Sequence, residues 1–276
     1  MVDNVTVLES GRASKDYWRD IWRHRELLVF IVWRDIIVRY KQTVVGTSWV
    51  LIRPFLTMLV FTFVFGRVAN LASASGSVPY SLVVFAGLLP WFFFSSALSE
   101  CSNSLIGNAN LISKVYFPRL IIPVSSIAVS LVDFLVTFVL LFLVMVWNRF
   151  APNWHIVFVP AFILLVTLIA LGLGLWTASL GVRYRDFRHL IPFLLQLGVY
   201  VSPVGYSSQI MPSKWRLLYS LNPLVGVIDG FRWSILGGNF VLFWPAQVIS
   251  WVMGVLLVLT GVWYFRKTEA TFADVI

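Results

Sequence analysis

The chain has 276 residues and little charge: Asp, Glu, Lys and Arg together make up 12%. A soluble domain carries about twice that. Cysteine occurs once, as Cys101, which excludes an internal disulfide and a cysteine-rich metal centre. The three histidines, His24, His155 and His189, are isolated from one another, so no paired-histidine metal motif exists. No G-x-x-x-x-G-K-[ST] stretch is present, so the chain builds no P-loop to cradle a nucleotide phosphate. A cleaved leader is not expected either. The first ten residues carry Asp3 and Glu9, and the first apolar run, LLVFIVW, has seven residues. Internal repeats and low-complexity tracts are absent.

What the sequence does have is apolar surface. It is 59% hydrophobic, with a mean hydropathy of +0.86. That places it in the membrane class before any motif is considered. The net charge of +9 would suit nucleic acid, but the basic residues border apolar runs and form no soluble face.

A spanning helix needs about 20 apolar residues to cross a hydrocarbon core about 30 Å thick. Segments 44–66, 80–100, 120–147, 156–182 and 241–265 meet that length. Three ionisable residues fall inside them: Arg53, Glu100 and Asp133. Such residues are costly in lipid and face protein or water. A sixth segment, 190–205, is short and carries Pro192, Gly198 and Pro203. It is expected to be irregular or re-entrant, since non-helical backbone at membrane depth needs protein or a water-filled cavity beside it.

Lys and Arg set the orientation. With the N-terminus inside, fifteen basic residues fall in inner segments and five in outer ones. Both termini are therefore expected on the cytoplasmic side. The stretch GVRYRDFRHL at 181–190 contributes Arg183, Arg185 and Arg188 to that bias, with Asp186 compensating locally.

Two shorter elements complete the pattern. Residues 14–26, SKDYWRDIWRHRE, place Tyr17, Trp18, Ile21 and Trp22 on one stripe, with basic residues towards the other side. This is the pattern of a helix lying in the headgroup plane. Residues 27–41 continue with Asp35 and Arg39 spaced as an i,i+4 pair. NPLVGVIDGFRWSILGG is expected as a short external or re-entrant helix, with Asn222 as N-cap, Pro223 at its first position and Gly237 beyond its end. Its apolar stripe is Leu224, Ile228, Phe231 and Ile235, and Asp229 and Arg232 are expected as a local surface pair.

The expected architecture is an all-α integral membrane protein with six transmembrane helices, an N-terminal interfacial helix and short helices before the last span. Its parts are a cytoplasmic N-terminus at 1–43, the transmembrane domain at 44–265 and a cytoplasmic tail at 266–276. Aromatics make up 16% of the chain, with WFFF at 91–94 and Phe55, Phe61, Phe63 and Phe65 in series. Their plainest role is packing and interfacial anchoring. As an array they offer a second one, a smooth lining on which sugar rings slide.

Four stretches, in order along nearly the whole chain, carry a resemblance. They are RDIIVRYKQTVVGTSWVLIRPFL at 34–56, GNANLISKVYFPRLIIPVSS at 107–126, GVRYRDFRHLIPFLLQLGVYVSPVGY at 181–206 and YSLNPLVGVIDGFRWSILG at 219–237. Together they resemble the permease subunits of ABC-2 type polysaccharide exporters, the family of O-antigen, capsule and teichoic acid export. The resemblance implies a homodimer working with two copies of a separate ATPase, which binds ATP and Mg, while this chain holds no cofactor. It implies that lipid-linked polysaccharide crosses the inner membrane at the dimer axis. It assigns ATPase docking to Asn110, Lys114, Tyr116, Phe117 and Arg119, with a coupling helix over 110–117, and a second contact region to Arg183, Arg185 and Arg188. Substrate-path candidates are Arg53, Phe55 and Tyr200. Rival readings are an ABC-2 permease for drugs or small lipids, a membrane-embedded glycosyl- or phosphotransferase, and a passive channel. A transferase of this kind wants paired acidic residues at a membrane edge, which Asp186 alone does not supply.

Overall fold

The computed structural model describes residues 17–41, 46–71, 78–237 and 240–272. Residues 14–16 of the expected interfacial helix and 44–45 of the first expected span lie outside these. The described residues form eleven α-helices with short tighter or wider turns between some of them. Five helical segments are long and apolar enough to cross a membrane: Ser48–Val68, Tyr80–Gly107, Ile121–Trp147, Trp154–Arg183 and Trp244–Thr271.

Two short amphipathic helices come first, α1 (Tyr17–Arg23) and α2 (Arg25–Lys41). The expected stripe on α1 divides. Tyr17 is buried against the protein and Ile21 packs beside it, while Trp18 and Trp22 point outward. The reason is the helical angle: Trp18 lies one step round from Tyr17, so a buried Tyr17 turns its neighbour away. On α2, Val29, Phe30, Trp33, Ile37 and Val38 are all exposed.

α3 (Gly46–Phe61) is extended through a wider turn, Thr62–Val68, to complete the first span. The second span, α4 (Tyr80–Gly107), is the axis of the molecule: 78% of its most apolar window is buried, against 17% for the first span. Its faces are taken by α6 (Ile121–Trp147), by α7 (Val159–Arg183) and by α10 (Pro223–Leu236). The last span, α11 (Trp244–Thr268), packs chiefly on α7. That pairing depends on glycine. A Cβ at Gly172 would collide with the Leu257 backbone, and one at Gly261 would sit 2.5 Å from the Gly172 carbonyl oxygen. Small residues let spanning helices approach until their backbones touch.

The sixth segment is more regular than its sequence suggests. α8 (Phe187–Val201) runs unbroken through Pro192 and Gly198, and irregular backbone begins only at Ser202. Pro192 removes one backbone bond near the start of the helix, a tolerable loss. Gly198 makes room for the Trp91 ring, which lies 2.7 Å from where a Cβ would stand. Fifteen residues reach about 22 Å, less than the hydrocarbon core needs.

α10 forms as its sequence predicts. The Asn222 side chain accepts from the Leu224 amide, Pro223 opens the helix, and Gly237 closes it at φ 58°. The helix is buried on nearly every face. Asp229 and Arg232 are therefore not a surface pair, and no ion pair joins them. Arg232 is fully buried. It donates to the backbone carbonyls of Val83 at 3.0 Å, Tyr206 at 2.7 Å and Val204 at 2.6 Å. Asp229 accepts from the Ser208 hydroxyl. Burial above all pushes its carboxyl pKa up, with Ser208 and the charge of Arg232 acting against it. The physical reason for the correction lies in the loop at 202–208. Its carbonyls lack helical partners, and a buried arginine satisfies two of them.

Candidate functional site

A groove of about 950 Å³ opens between α3, α4, α6 and α8. Its walls follow from helical spacing. From α4 come Trp91, Phe92, Phe93, Ser95, Ser96, Ser99 and Glu100. From α6 come Ser130, the neighbours Asp133 and Phe134, and Thr137, successive turns of one face three or four residues apart. α3 adds Trp49, Arg53, Thr57 and Phe61, and α8 adds Gln196 and Tyr200. The lining alternates aromatic faces with hydroxyls. The hydroxyls are oriented: Ser95, Thr57, Ser130 and Thr137 each donate to a carbonyl in the preceding turn, at 3.1, 2.8, 3.2 and 2.9 Å. The Ser130 oxygen also bonds the Ser96 hydroxyl at 3.4 Å, so the two facing helices share one hydroxyl pair.

Four ionisable side chains border the same groove. Arg39, at the end of α2, donates to Asp133 and, at 2.5 Å, to Glu100. Tyr40 donates to the other oxygen of Asp133 at 2.7 Å. Burial pulls the Arg39 pKa down, but the two carboxylates outweigh it and leave it raised. Asp35 is thus not the partner of Arg39; it pairs with Arg34 at 2.8 Å. The sequence identified Glu100 and Asp133 as costly but did not connect them with Arg39, 94 positions from Asp133. No local spacing encodes that contact.

Arg53 stands apart from this cluster. It is exposed to the groove, its guanidinium lies 5.9 Å from the centre of the Phe92 ring, and no ion pair holds it among the described residues. Of the substrate-path candidates, Arg53 and Tyr200 line the groove, and Phe55 does not. Phe55 is exposed on another face of α3, two residues round from Arg53. Trp91, Phe92, Phe93 and Phe61 border the groove and Phe94 does not, although Trp91 and Phe93 are buried in the same core cluster as Phe94.

The docking candidates lie together at one end of the bundle. α5 (Ala109–Lys114) is shorter than the helix expected over 110–117, and the chain is extended from Val115. Asn110, Lys114 and Tyr116 are exposed. Phe117 is buried and Arg119 is tied to Glu269, so neither offers a free surface. The apolar ring of Phe117 belongs to a core cluster with Leu120 and Phe265, which removes it from solvent. Arg183, Arg185 and Arg188 are exposed around the α7–α8 turn at the same end. Among the described residues no group of His, Cys, Asp and Glu is placed to hold a metal. His155 is wedged between Trp154 and Trp233, with ring centres 4.3 Å from each.

A model of the ABC-2 type transporter family matches residues 26–236, which takes in both the groove and the docking end. The chain belongs to that family. Curated relatives extend the likeness. An O-antigen export system permease protein RfbA from Klebsiella pneumoniae is 29% identical over 91% of this chain and 95% of its own length. A protein of the same name from Myxococcus xanthus is 30% identical over 78% of this chain and 82% of its own. The polysialic acid transport protein KpsM of Escherichia coli is 25% identical over 74% and 79%. The ABC-2 protein is thus a multi-pass membrane permease, and the helices that line its groove lie inside the matched region.

Proposed function

We propose that this ABC-2 protein is the transmembrane subunit of an ATP-driven exporter of lipid-linked polysaccharide in the inner membrane. The observation that carries the reading is the groove itself. Aromatic faces present weakly directional stacking surfaces, so a moving glycan meets no deep trap. Oriented hydroxyls supply exchangeable hydrogen bonds, and Arg53 supplies one cation without a carboxylate partner among the described residues. A phosphate-bearing lipid head has the complementary charge, and guanidinium binds phosphate in a two-point geometry.

Energy enters from another chain. With no P-loop of its own, the permease relies on two copies of a separate ATPase that binds ATP and Mg. Asn110, Lys114 and Tyr116, with Arg183, Arg185 and Arg188, form the face such a partner meets. The excess of basic residues at this end supports reading it, and both termini, as cytoplasmic. A second permease copy facing the groove closes it into a channel, since one groove is open along its length. ATPase closure moves the α5 loop, and that motion changes the packing of α3 and α8 at the dimer axis.

The test is Arg53→Ala in cells that depend on this chain for surface polymer. The expected result is normal permease level with polymer export reduced about tenfold or more, the loss of one charge-assisted contact. Normal export at normal level removes Arg53 from the substrate path.

A further inference from the structure

The segment after α11 is built into the protein. Phe272 is buried against Phe265, with ring centres 5.3 Å apart, inside the cluster that holds Phe117, Leu120, Ile112 and Tyr17. Glu269 accepts the Arg119 backbone amide at 2.9 Å, and the Arg119 guanidinium donates to the Glu269 carbonyl. Arg266 lies 4.6 Å from the centre of the Tyr17 ring. Three pieces far apart in sequence therefore meet at one knot: α1, the strand of chain following α5, and the end of α11. At its start α5 is tied by Arg34, which donates to Asn108 at 3.0 Å, and between that tie and the knot Lys114, Val115 and Tyr116 stand exposed.

We propose that Glu269 and Phe272 form a clasp that passes displacement of the α5 loop on to α11 and α1. The inference rests on the reading that this loop meets an ATPase. Glu269 acts here as a positioning residue. It fixes Arg119 to the last span through both its side chain and its backbone carbonyl. A loop so fixed transmits a push to α11. A loop cut loose absorbs the push by bending at the extended residues after Lys114.

The experiment uses the full chain with its native partner, comparing Glu269→Ala, Glu269→Gln and Arg119→Met. Permease level, co-purified ATPase, ATP hydrolysis and polymer export are measured together. The expected result for E269A is normal level, normal partner recovery and continued hydrolysis, with export per ATP reduced about tenfold, the scale of ordinary coupling energies. E269Q keeps an oxygen for the Arg119 amide and retains most of the coupling. R119M keeps its amide bond to Glu269 and falls between the two. If E269A misfolds, the order of E269Q and R119M carries the test. An unchanged export-to-hydrolysis ratio in all three variants, within an intact complex, overturns the clasp alone. A wild-type permease that recovers no ATPase overturns the functional reading, and the clasp with it.

Discussion

At the scale of single residues, two arginines show how burial decides meaning. Arg232 and Arg53 both lie in apolar sequence, and their surroundings in the fold are opposite. Arg232 is fully buried and donates to three carbonyls. Replacing it with Met takes the donor from the loop carbonyls of Val204 and Tyr206, at about 1 kcal/mol or more each. Arg232→Met is expected to lower the melting temperature in detergent and expose the 202–208 loop to protease. Arg232→Lys, a point donor in place of a fork, recovers only part of this. Arg53 behaves differently. It contacts one aromatic face, and substituting it is expected to change export with little change in melting temperature. Equal thermal losses at both positions contradict this division. The sequence reading treated Asp229 and Arg232 as surface charges because i,i+3 spacing fits a solvated helix face. Their true surroundings come from α4 and from the 202–208 loop, which no window around α10 contains.

At the scale of elements, the helices were largely legible. Length and hydropathy alone locate five spans, and Asn222, Pro223 and Gly237 mark both ends of α10. The misreadings share one cause, which is tertiary partners overriding local signals. Pro192 and Gly198 read as breaks, but Trp91 packs into the space at Gly198 and α8 continues. Asp35 and Arg39 have good local spacing, but Arg39 is drawn to Asp133 and Glu100 across 94 and 61 positions. That cluster fastens α2 to α4 and α6. Arg39→Gln leaves two carboxylates close together without their cation and is expected to be more damaging than Arg39→Gln combined with Asp133→Asn. A double-mutant cycle on thermal stability measures the difference. Strict additivity contradicts direct pairing. The α7–α11 contact gives a second prediction. Gly172→Ala forces the Leu257 backbone away, and overpacking of this kind costs about 1–3 kcal/mol. Its expected signature is a lower melting temperature, read by thermal unfolding in detergent, with the groove unaltered.

At the scale of the whole molecule, the account links two regions. One is a groove lined by aromatic rings, hydroxyls and Arg53, which has no ion-pair partner among the described residues. The other is a basic end where Asn110, Lys114, Tyr116, Arg183, Arg185 and Arg188 are exposed. The membrane class and the basic bias were plain from composition. The groove was not, because its lining comes from four helices whose relative rotation no single segment encodes. Phe55 shows the consequence, since it shares a helix with Arg53 yet faces elsewhere. The central claim is that this permease is driven from its basic end by a separate ATPase. The most direct test is to purify tagged chain from its native membrane in mild detergent, recording partner masses and ATP hydrolysis together. The wild-type chain is expected as a two-to-two complex with an active ATPase, and Lys114→Glu with Tyr116→Ala is expected to lose that partner while retaining its fold. A wild-type chain that purifies without any associated ATPase contradicts the account.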